Sequence, residues 1–245
     1  MDDKLKQIDT LLGELNQYRA NENYRITEAL EIEYTYDSNR IEGNTLTLNE
    51  TEMVVNKGIT IAGKGLREHL EAINHKEAID FIKDIAQKKE PVSERVLLDI
   101  HSIVLHSIDK ENAGKYRRVP VIISGSKHIP PQPYLLQPKM DELFQWYEAN
   151  KDSMHPVVLA AQMHEKFVSI HPFIDGNGRT ARLLMNLILM QHGYPIANIK
   201  GDNDTRRRYY QTLEEASSGD NSAFVEFIEE VVIQSLEYYL QIIRG

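Results

Sequence analysis

The chain has 245 residues, with 28 basic against 37 acidic side chains, a formal net charge of −9 and no cysteine. The lack of cysteine excludes disulfides, thiolate nucleophiles and zinc–sulfur sites, and the acidic balance argues against broad binding to nucleic acid or to an anionic membrane. The N-terminal stretch is charged, and the longest apolar run, LLMNLILM (183–190), is too short to span a bilayer. We therefore expect a cytoplasmic protein with no nucleic-acid or membrane partner.

The first part of the chain is dominated by helical periodicity. Apolar residues three and four apart predict helices over residues 2–19 and 24–36. In the stretch SNRIEGN (38–44), Ser38 and Glu42 stand one helical turn apart, and the glycine after Glu42 ends that turn. Thr47 and Glu50 have the spacing of a capping box, which predicts the start of another helix.

Further helices are predicted over residues 67–87 and from 91 through 106. The segment 113–133 differs, because it is rich in β-branched residues and contains four prolines and two glycines. This composition predicts a short β-hairpin followed by an extended arm. Helices are then predicted at about 138–149, 156–169, 179–192, 204–217 and 222–243. The predicted fold class is all-α with one small β-hairpin.

The stretch HPFIDGNGRTAR (171–182) joins two of these helices and is made of residues that are poor core formers. Pro172 disfavours helix at His171, so the histidine lies where a helix meets a loop. Glycines on either side of Asn177 tolerate positive φ, which lets consecutive N–H groups form an anion nest. The N-terminus of the next helix adds free N–H groups to that nest. The stretch therefore predicts a phosphate cradle.

The charged residues of the same stretch fit that prediction. Arg179 and Arg182 share one face of the helix start, where cations oppose the helix dipole unless an anion is bound. Asp175 offers an oxygen ligand suited to Mg²⁺, and His171 can serve as a neutral base because its ordinary pKa is about 6.5. The set indicates phosphate-group transfer, without a Walker A loop or a Rossmann fingerprint.

HPFIDGNGRTAR matches in full the HPFxxGNGRxxR signature of Fic-domain (Fido) proteins, and the chain resembles that family from about residue 30 to residue 230. The resemblance implies an all-α Fic core with a β-hairpin flap. It also implies transfer of AMP from ATP to a Ser, Thr or Tyr hydroxyl of a target protein, with His171 as the base and Asp175 as the Mg²⁺ ligand. The residues implied in phosphate binding are Gly176, Asn177, Gly178, Arg179, Thr180 and Arg182.

The resemblance further assigns the contacts to the target and to the nucleoside. The segment at about 115–133 is similar to the flap on which a target segment docks by strand addition. Its tip is expected at Ser124, Gly125, Ser126 and Lys127. Tyr209 and Tyr210 fall where related sequences contact adenosine, and Ser217 stands where some relatives carry asparagine.

SNRIEGN matches the inhibitory pattern of the family, in which Ser or Thr precedes a Glu by four residues and Gly or Asn follows. Its place before the core resembles the class with an N-terminal inhibitor. In that class Glu42, on a helix that also carries Ser38, would pair with Arg182 and block the γ-phosphate. In some relatives this glutamate also serves to remove AMP from modified targets. The expected division is an N-terminal helical region (1–66) with the inhibitory motif at 38–44, and a catalytic core (67–245).

Two alternatives remain open at this point: a Fic fold that uses another nucleotide donor, and a non-catalytic module that holds nucleotide while the flap binds a partner. The C-terminal helix is expected to face the core, with a homodimer face as the alternative. The remaining side chains of note are predicted to be structural or exposed; they are His69, His75, His101, His106, His164 and the basic run Arg206–Arg208.

Overall fold

The computed structural model describes residues 3–244, and helices account for all of the regular structure in that range. Asp2, where the predicted N-terminal helix begins, lies outside the described residues. The first and last residues of the chain, where the two predicted domains begin and end, also lie outside them. The α-helices are α1 (Asp3–Tyr18), α2 (Tyr24–Ile41), α3 (Leu48–Lys57), α4 (Leu66–Lys88), α5 (Glu94–Leu105), α6 (Leu136–Asn150), α7 (Pro156–Ile170), α8 (Asn177–Gln191), α9 (Asn203–Ala216) and α10 (Ser222–Arg244). Short 3₁₀ turns occur at Arg19–Asn21 and Pro133–Leu135.

Helix α8 is the centre of the core, because every residue from Arg179 to Leu189 is buried. It packs against α7 and α4, and also contacts α5 and α2. A helix that is buried on all sides must lie inside the domain. Helix α10 packs on α1, α7 and α9, which confirms that its apolar stripe faces the core. No helix within residues 3–244 is long and apolar enough to cross a membrane.

Most predicted helices are found within two or three residues of their expected bounds, since caps and apolar periodicity agree there. The capping box is confirmed: the Thr47 hydroxyl accepts the Glu50 N–H at 3.3 Å, and the Glu50 carboxylate accepts the Thr47 N–H at 2.7 Å. Helix α2 differs, because it continues five residues past its predicted end to Ile41. Ser38 and Ile41 are buried against the core, and Glu42 forms the C-cap.

The predicted β-hairpin is wrong: residues 113–133 contain no strand. Its prolines lack the N–H groups that a strand ladder needs, and a buried arginine holds the segment instead. The Arg117 guanidinium donates to the carbonyls of Val119 at 3.0 Å, Pro131 at 2.6 Å and His171 at 2.9 Å. A tight turn at residues 123–126 is present where the tip was expected, with Gly125 at φ 80°. The segment expected to form the flap is thus a loop whose base is held by Arg117.

A polar clamp fixes the C-terminal half of α2. The buried Asp37 carboxylate accepts the Gly201 N–H at 2.9 Å and the Asn198 amide at 2.8 Å, and Lys200 lies 3.3 Å away. Gly201 permits this close approach, since a Cβ there would lie 2.8 Å from the Asp37 carbonyl oxygen and 2.9 Å from the Arg40 Cβ. The clamp therefore sets the position of Ser38 and Glu42.

The clamp yields the first prediction. Gly201→Ala is expected to destabilise the protein by about 1–3 kcal/mol, because the backbone of α2 must move to relieve the overlap. Gly13→Ala is the matched control: it adds the same methyl to an exposed site of α1 with no atom within 4 Å and should stabilise by about 0.5–1 kcal/mol. Urea unfolding of both variants measures the difference, and equal free energies of unfolding would contradict the clamp.

Candidate active site

His171 lies at the junction of α7 and the loop that follows, in the left-handed region at φ 49°. Non-glycine residues in this region store strain that the surrounding structure must support. Its Nδ1 is 3.3 Å from the Val168 carbonyl oxygen, which assigns the proton to Nδ1 and leaves Nε2 as an acceptor. Burial lowers the pKa of His171 below its ordinary value of 6.5, with the Val168 bond opposing the shift. The imidazole is therefore a neutral base at neutral pH.

The loop is held by its own asparagine. The Asn177 side chain accepts the Phe173 N–H and donates to the Phe173 carbonyl, both at 3.0 Å. Asn177 therefore shapes the cradle through its side chain. Gly176 adopts φ 78° at the start of α8, where no side chain among the described residues caps the helix. An uncapped helix N-terminus after such a turn is a site for a phosphate.

Arg179 has unused hydrogen-bonding capacity. Its side chain is 2% exposed, yet within residues 3–244 its Nε and Nη1 have no hydrogen-bond partner. Nη1 lies 3.5 Å from a Glu71 oxygen, and Nη2 lies 3.3 Å from Asp175 Oδ1. Buried donors without acceptors are costly, and an anion in the cradle would satisfy them. The residues present therefore fit a polyphosphate.

Asp175 is suited to a cation. Oδ1 accepts the Gly176 N–H at 2.6 Å, and Oδ2 pairs with the Arg67 guanidinium. Burial would raise the pKa of Asp175, yet Arg179, the Gly176 N–H and Arg67 together lower it below its ordinary value. The side chain is 42% exposed, which leaves room for the water and phosphate ligands that Mg²⁺ keeps when it binds one carboxylate.

Arg182 is fully buried and ion-paired with the predicted inhibitor. Its Nη2 lies 2.7 Å from one Glu42 oxygen and 2.9 Å from the Ser38 carbonyl, and its Nε donates to the Ser38 hydroxyl at 3.0 Å. Nη1 is 3.3 Å from the Tyr209 hydroxyl. Burial would lower the pKa of Arg182, but Glu42 holds it above its ordinary value. The predicted Glu42–Arg182 contact is thus present in the structure.

A cleft of about 850 Å³ joins the loop, the flap and α9, a size typical of ligand sites. Among the residues lining it are Glu42, His171, Gly178, Tyr209, Tyr210, Ser217, Ser124, Gly125 and Ser126. The flap tip is fixed to α9, because Glu214 accepts the Lys127 N–H at 2.9 Å and pairs with the Ser126 hydroxyl. Thr180 is fully buried, and its N–H donates to the Gly176 carbonyl at 2.9 Å, so this N–H is not available to a phosphate.

Three supporting side chains had no local signal in the sequence. Arg117 holds the flap to His171, and His164 contacts the Tyr209 hydroxyl at 3.1 Å. His101 stacks on Phe173 with ring centroids 3.5 Å apart. Its Nε2 donates to the Asp175 carbonyl and its Nδ1 accepts the Gly114 N–H, both at 3.0 Å. Burial lowers the pKa of His101 to about 4, so the neutral ring provides both bonds.

Comparison with known structures decides the family. The fold matches that of a variant of Fic-1 from C. elegans with a TM-score of 0.86 and 31% identity, covering 97% of this chain and 71% of the other. The chain belongs to the Fic family. Residues 91–189 match the Fic/DOC family. A Fic-domain signalling protein from Bacteroides thetaiotaomicron is also similar, with a TM-score of 0.88 and 29% identity over 99% of this chain and 97% of that one.

Relatives named Protein adenylyltransferase Fic match most of this Fic chain. The relative from Nematostella vectensis is 38% identical over 97% of the chain, and that from Culex quinquefasciatus is 39% identical over 85%. The chain spans about half the length of these relatives, 53% and 41% respectively. The resemblance inferred from HPFIDGNGRTAR is confirmed as family membership.

The His101 contacts yield the second prediction. His101→Phe keeps the ring stacking but leaves the Gly114 N–H and the Asp175 carbonyl unpaired, which should cost about 2–4 kcal/mol. The control is His106→Phe at the C-cap of the same helix, where the side chain is 44% exposed. It loses one partly exposed contact, to the Ile103 carbonyl, so the change should stay within about 1 kcal/mol. Urea unfolding at neutral pH compares them, and similar losses would refute the bridging role of His101.

Proposed function

We propose that this chain transfers AMP from ATP to a hydroxyl side chain of a target protein and that Glu42 inhibits the transfer. The observation that carries the proposal is the neutral His171 in one cleft with Gly178 of the cradle, next to the buried Arg179 with its unused donors. The names of the relatives from Nematostella vectensis and Culex quinquefasciatus support the reaction class. The target segment would dock on the flap.

His171 performs the proton transfer in this proposal. Its Nε2 accepts the proton of the target hydroxyl as the hydroxyl oxygen bonds to the α-phosphorus. The bond from the α-phosphorus to the bridging oxygen breaks, and pyrophosphate leaves with that oxygen. Because burial keeps the imidazole neutral, no proton has to be removed from His171 beforehand.

The cradle supplies the electrostatic part of catalysis. The N–H groups at the start of α8 and the Arg179 guanidinium face the phosphates and are held in place before the reaction, which is the arrangement that stabilises developing charge. Asp175 would hold Mg²⁺, which on binding neutralises phosphate charge. Tyr210 and Ser217, which line the cleft next to the flap tip, would contact the nucleoside.

Inhibition follows from the place of Glu42. Arg182 is needed as a phosphate clamp, but its Nη2 is already paired with Glu42 at 2.7 Å. The same carboxylate approaches the cradle so closely that a Cβ on Gly178 would overlap it. A carboxylate there repels the terminal phosphate and occupies its space, so ATP binds in a pose unfit for transfer.

The third prediction tests this function. Glu42→Gly should raise AMP transfer by on the order of 100-fold, the value of one charge-stabilising donor in such sites. Label from ATP marked at the α-phosphate, measured on protein, is the readout. Glu42→Gly/His171→Ala is the control and should carry no label. Glu42→Gln keeps the size of the side chain and removes its charge. Its rate relative to wild type and Glu42→Gly therefore shows how much of the inhibition comes from charge repulsion of the terminal phosphate and how much from occupied space.

Equal labelling of the wild type and Glu42→Gly would overturn the inhibitory role of Glu42. Labelling of the His171→Ala double variant at the Glu42→Gly rate would overturn the role of His171 as the base.

The fourth prediction concerns pH. The pKa of His171 is lowered below 6.5, so the proton leaves at a lower pH and the base form is already dominant at pH 6.5. Transfer by Glu42→Gly should therefore fall to half of its maximum rate only at a pH below 6.5. A rate that is halved above pH 6.5 would contradict a buried neutral base.

A further inference from the structure

Helix α4 carries a second ion pair at the cradle. Arg67 and Glu71 stand one helical turn apart, and Arg67 Nε donates to Glu71 Oε1 at 3.1 Å. They approach the cradle from α4, whereas Glu42 approaches it from the end of α2. The sequence motifs include neither residue.

Each member of this pair contacts a residue of opposite charge that, in the proposed function, binds the metal or the phosphates. Arg67 Nη2 pairs with Oδ2 of Asp175, the proposed metal carboxylate. Glu71 Oε1 lies 3.5 Å from Nη1 of Arg179, the proposed phosphate clamp. The Arg67 cation therefore lies where the metal would bind Asp175, and the Glu71 anion lies next to the arginine that would bind phosphate.

The pair is also connected to the inhibitory turn. The Asn44 amide, two residues after Glu42, donates to Glu71 Oε2 at 3.0 Å and to the Glu68 carbonyl at 3.0 Å. Glu71 is 12% exposed and thus fixed, whereas the Arg67 side chain is 60% exposed. Arg67 is the member that can leave without disturbing the core.

We propose that Arg67, held in place by Glu71, is a placeholder for the metal, with its guanidinium paired to the Asp175 carboxylate that the metal would use. This inference rests on the proposed function. A guanidinium and a divalent cation compete for the same carboxylate oxygen and repel each other. Metal-assisted nucleotide binding therefore requires Arg67 to leave Asp175, which lowers the affinity for the metal. Arg67 is a second restraint on the site, with contacts that differ from those of the Glu42–Arg182 pair.

The fifth prediction is a binding measurement that does not depend on turnover. In the Glu42→Gly background, calorimetry gives the affinity for ADP with Mn²⁺ and with EDTA, and the ratio of the two measures the coupling between metal and nucleotide. Arg67→Gln should raise this ratio roughly threefold to fivefold, the effect expected for loss of a partly exposed ion pair. Arg67→Lys, which keeps the charge, should raise it less.

Arg95→Gln is the matched control, because Arg95 is 91% exposed and its ion pair with Asp99 lies on α5. It should leave the ratio unchanged. An Arg67→Gln ratio equal to or below that of the parent would overturn the placeholder. So would a ratio raised only because ADP binds more weakly in EDTA, since Arg67 would then bind phosphate directly. Absence of ADP binding by the Glu42→Gly parent would instead overturn the proposed function and this inference together.

Discussion

The burial of the Arg182 guanidinium is the constraint on which the rest of the structure depends. A buried charge is tolerated only when its donors are satisfied and its charge is balanced. Arg182 is 0% exposed within the central helix α8, so neighbouring elements must bring acceptors to it. Helix α2 supplies Ser38 and its C-cap residue Glu42, and α9 supplies the Tyr209 hydroxyl. One side chain thereby sets the mutual position of three helices.

The charges of the whole site are balanced in the same way. Glu42 accompanies Arg182, while Glu71 and Asp175 lie near Arg179 and Arg67. In the proposed function, productive binding of ATP would replace the Glu42 carboxylate at Arg182 by a phosphate. The affinity would then depend on how tightly Glu42 is held, since a ligand shifts an equilibrium only by its differential interaction with the two states. The Asp37 clamp on α2 contributes to that equilibrium, because it fixes the helix that carries Glu42.

Local signals in the sequence account for the helices and for the residues of HPFIDGNGRTAR, because caps, glycines and apolar spacing act within a few positions. The Glu42–Arg182 contact spans 140 residues and was predictable only because both partners belong to recognisable motifs. Arg67 and Asp175 are 108 residues apart and His101 and Asp175 are 74 apart, with no spacing that pairs them. Such contacts follow from how helices pack, and packing is not encoded in any short stretch.

The error over residues 113–133 has a physical consequence for the proposed docking. β-Branched residues indicated strands, but prolines and the buried Arg117 give a loop pinned at its base by carbonyl contacts and at its tip by Glu214. Between these points Ile122 is 90% exposed and Ile129 is 79% exposed. In the proposed docking, a target segment that adds as a strand would have to rearrange this loop. The rearrangement would reduce affinity and would restrict the proposed reaction to targets whose contacts compensate for it, so the lack of a preformed strand would make the flap selective.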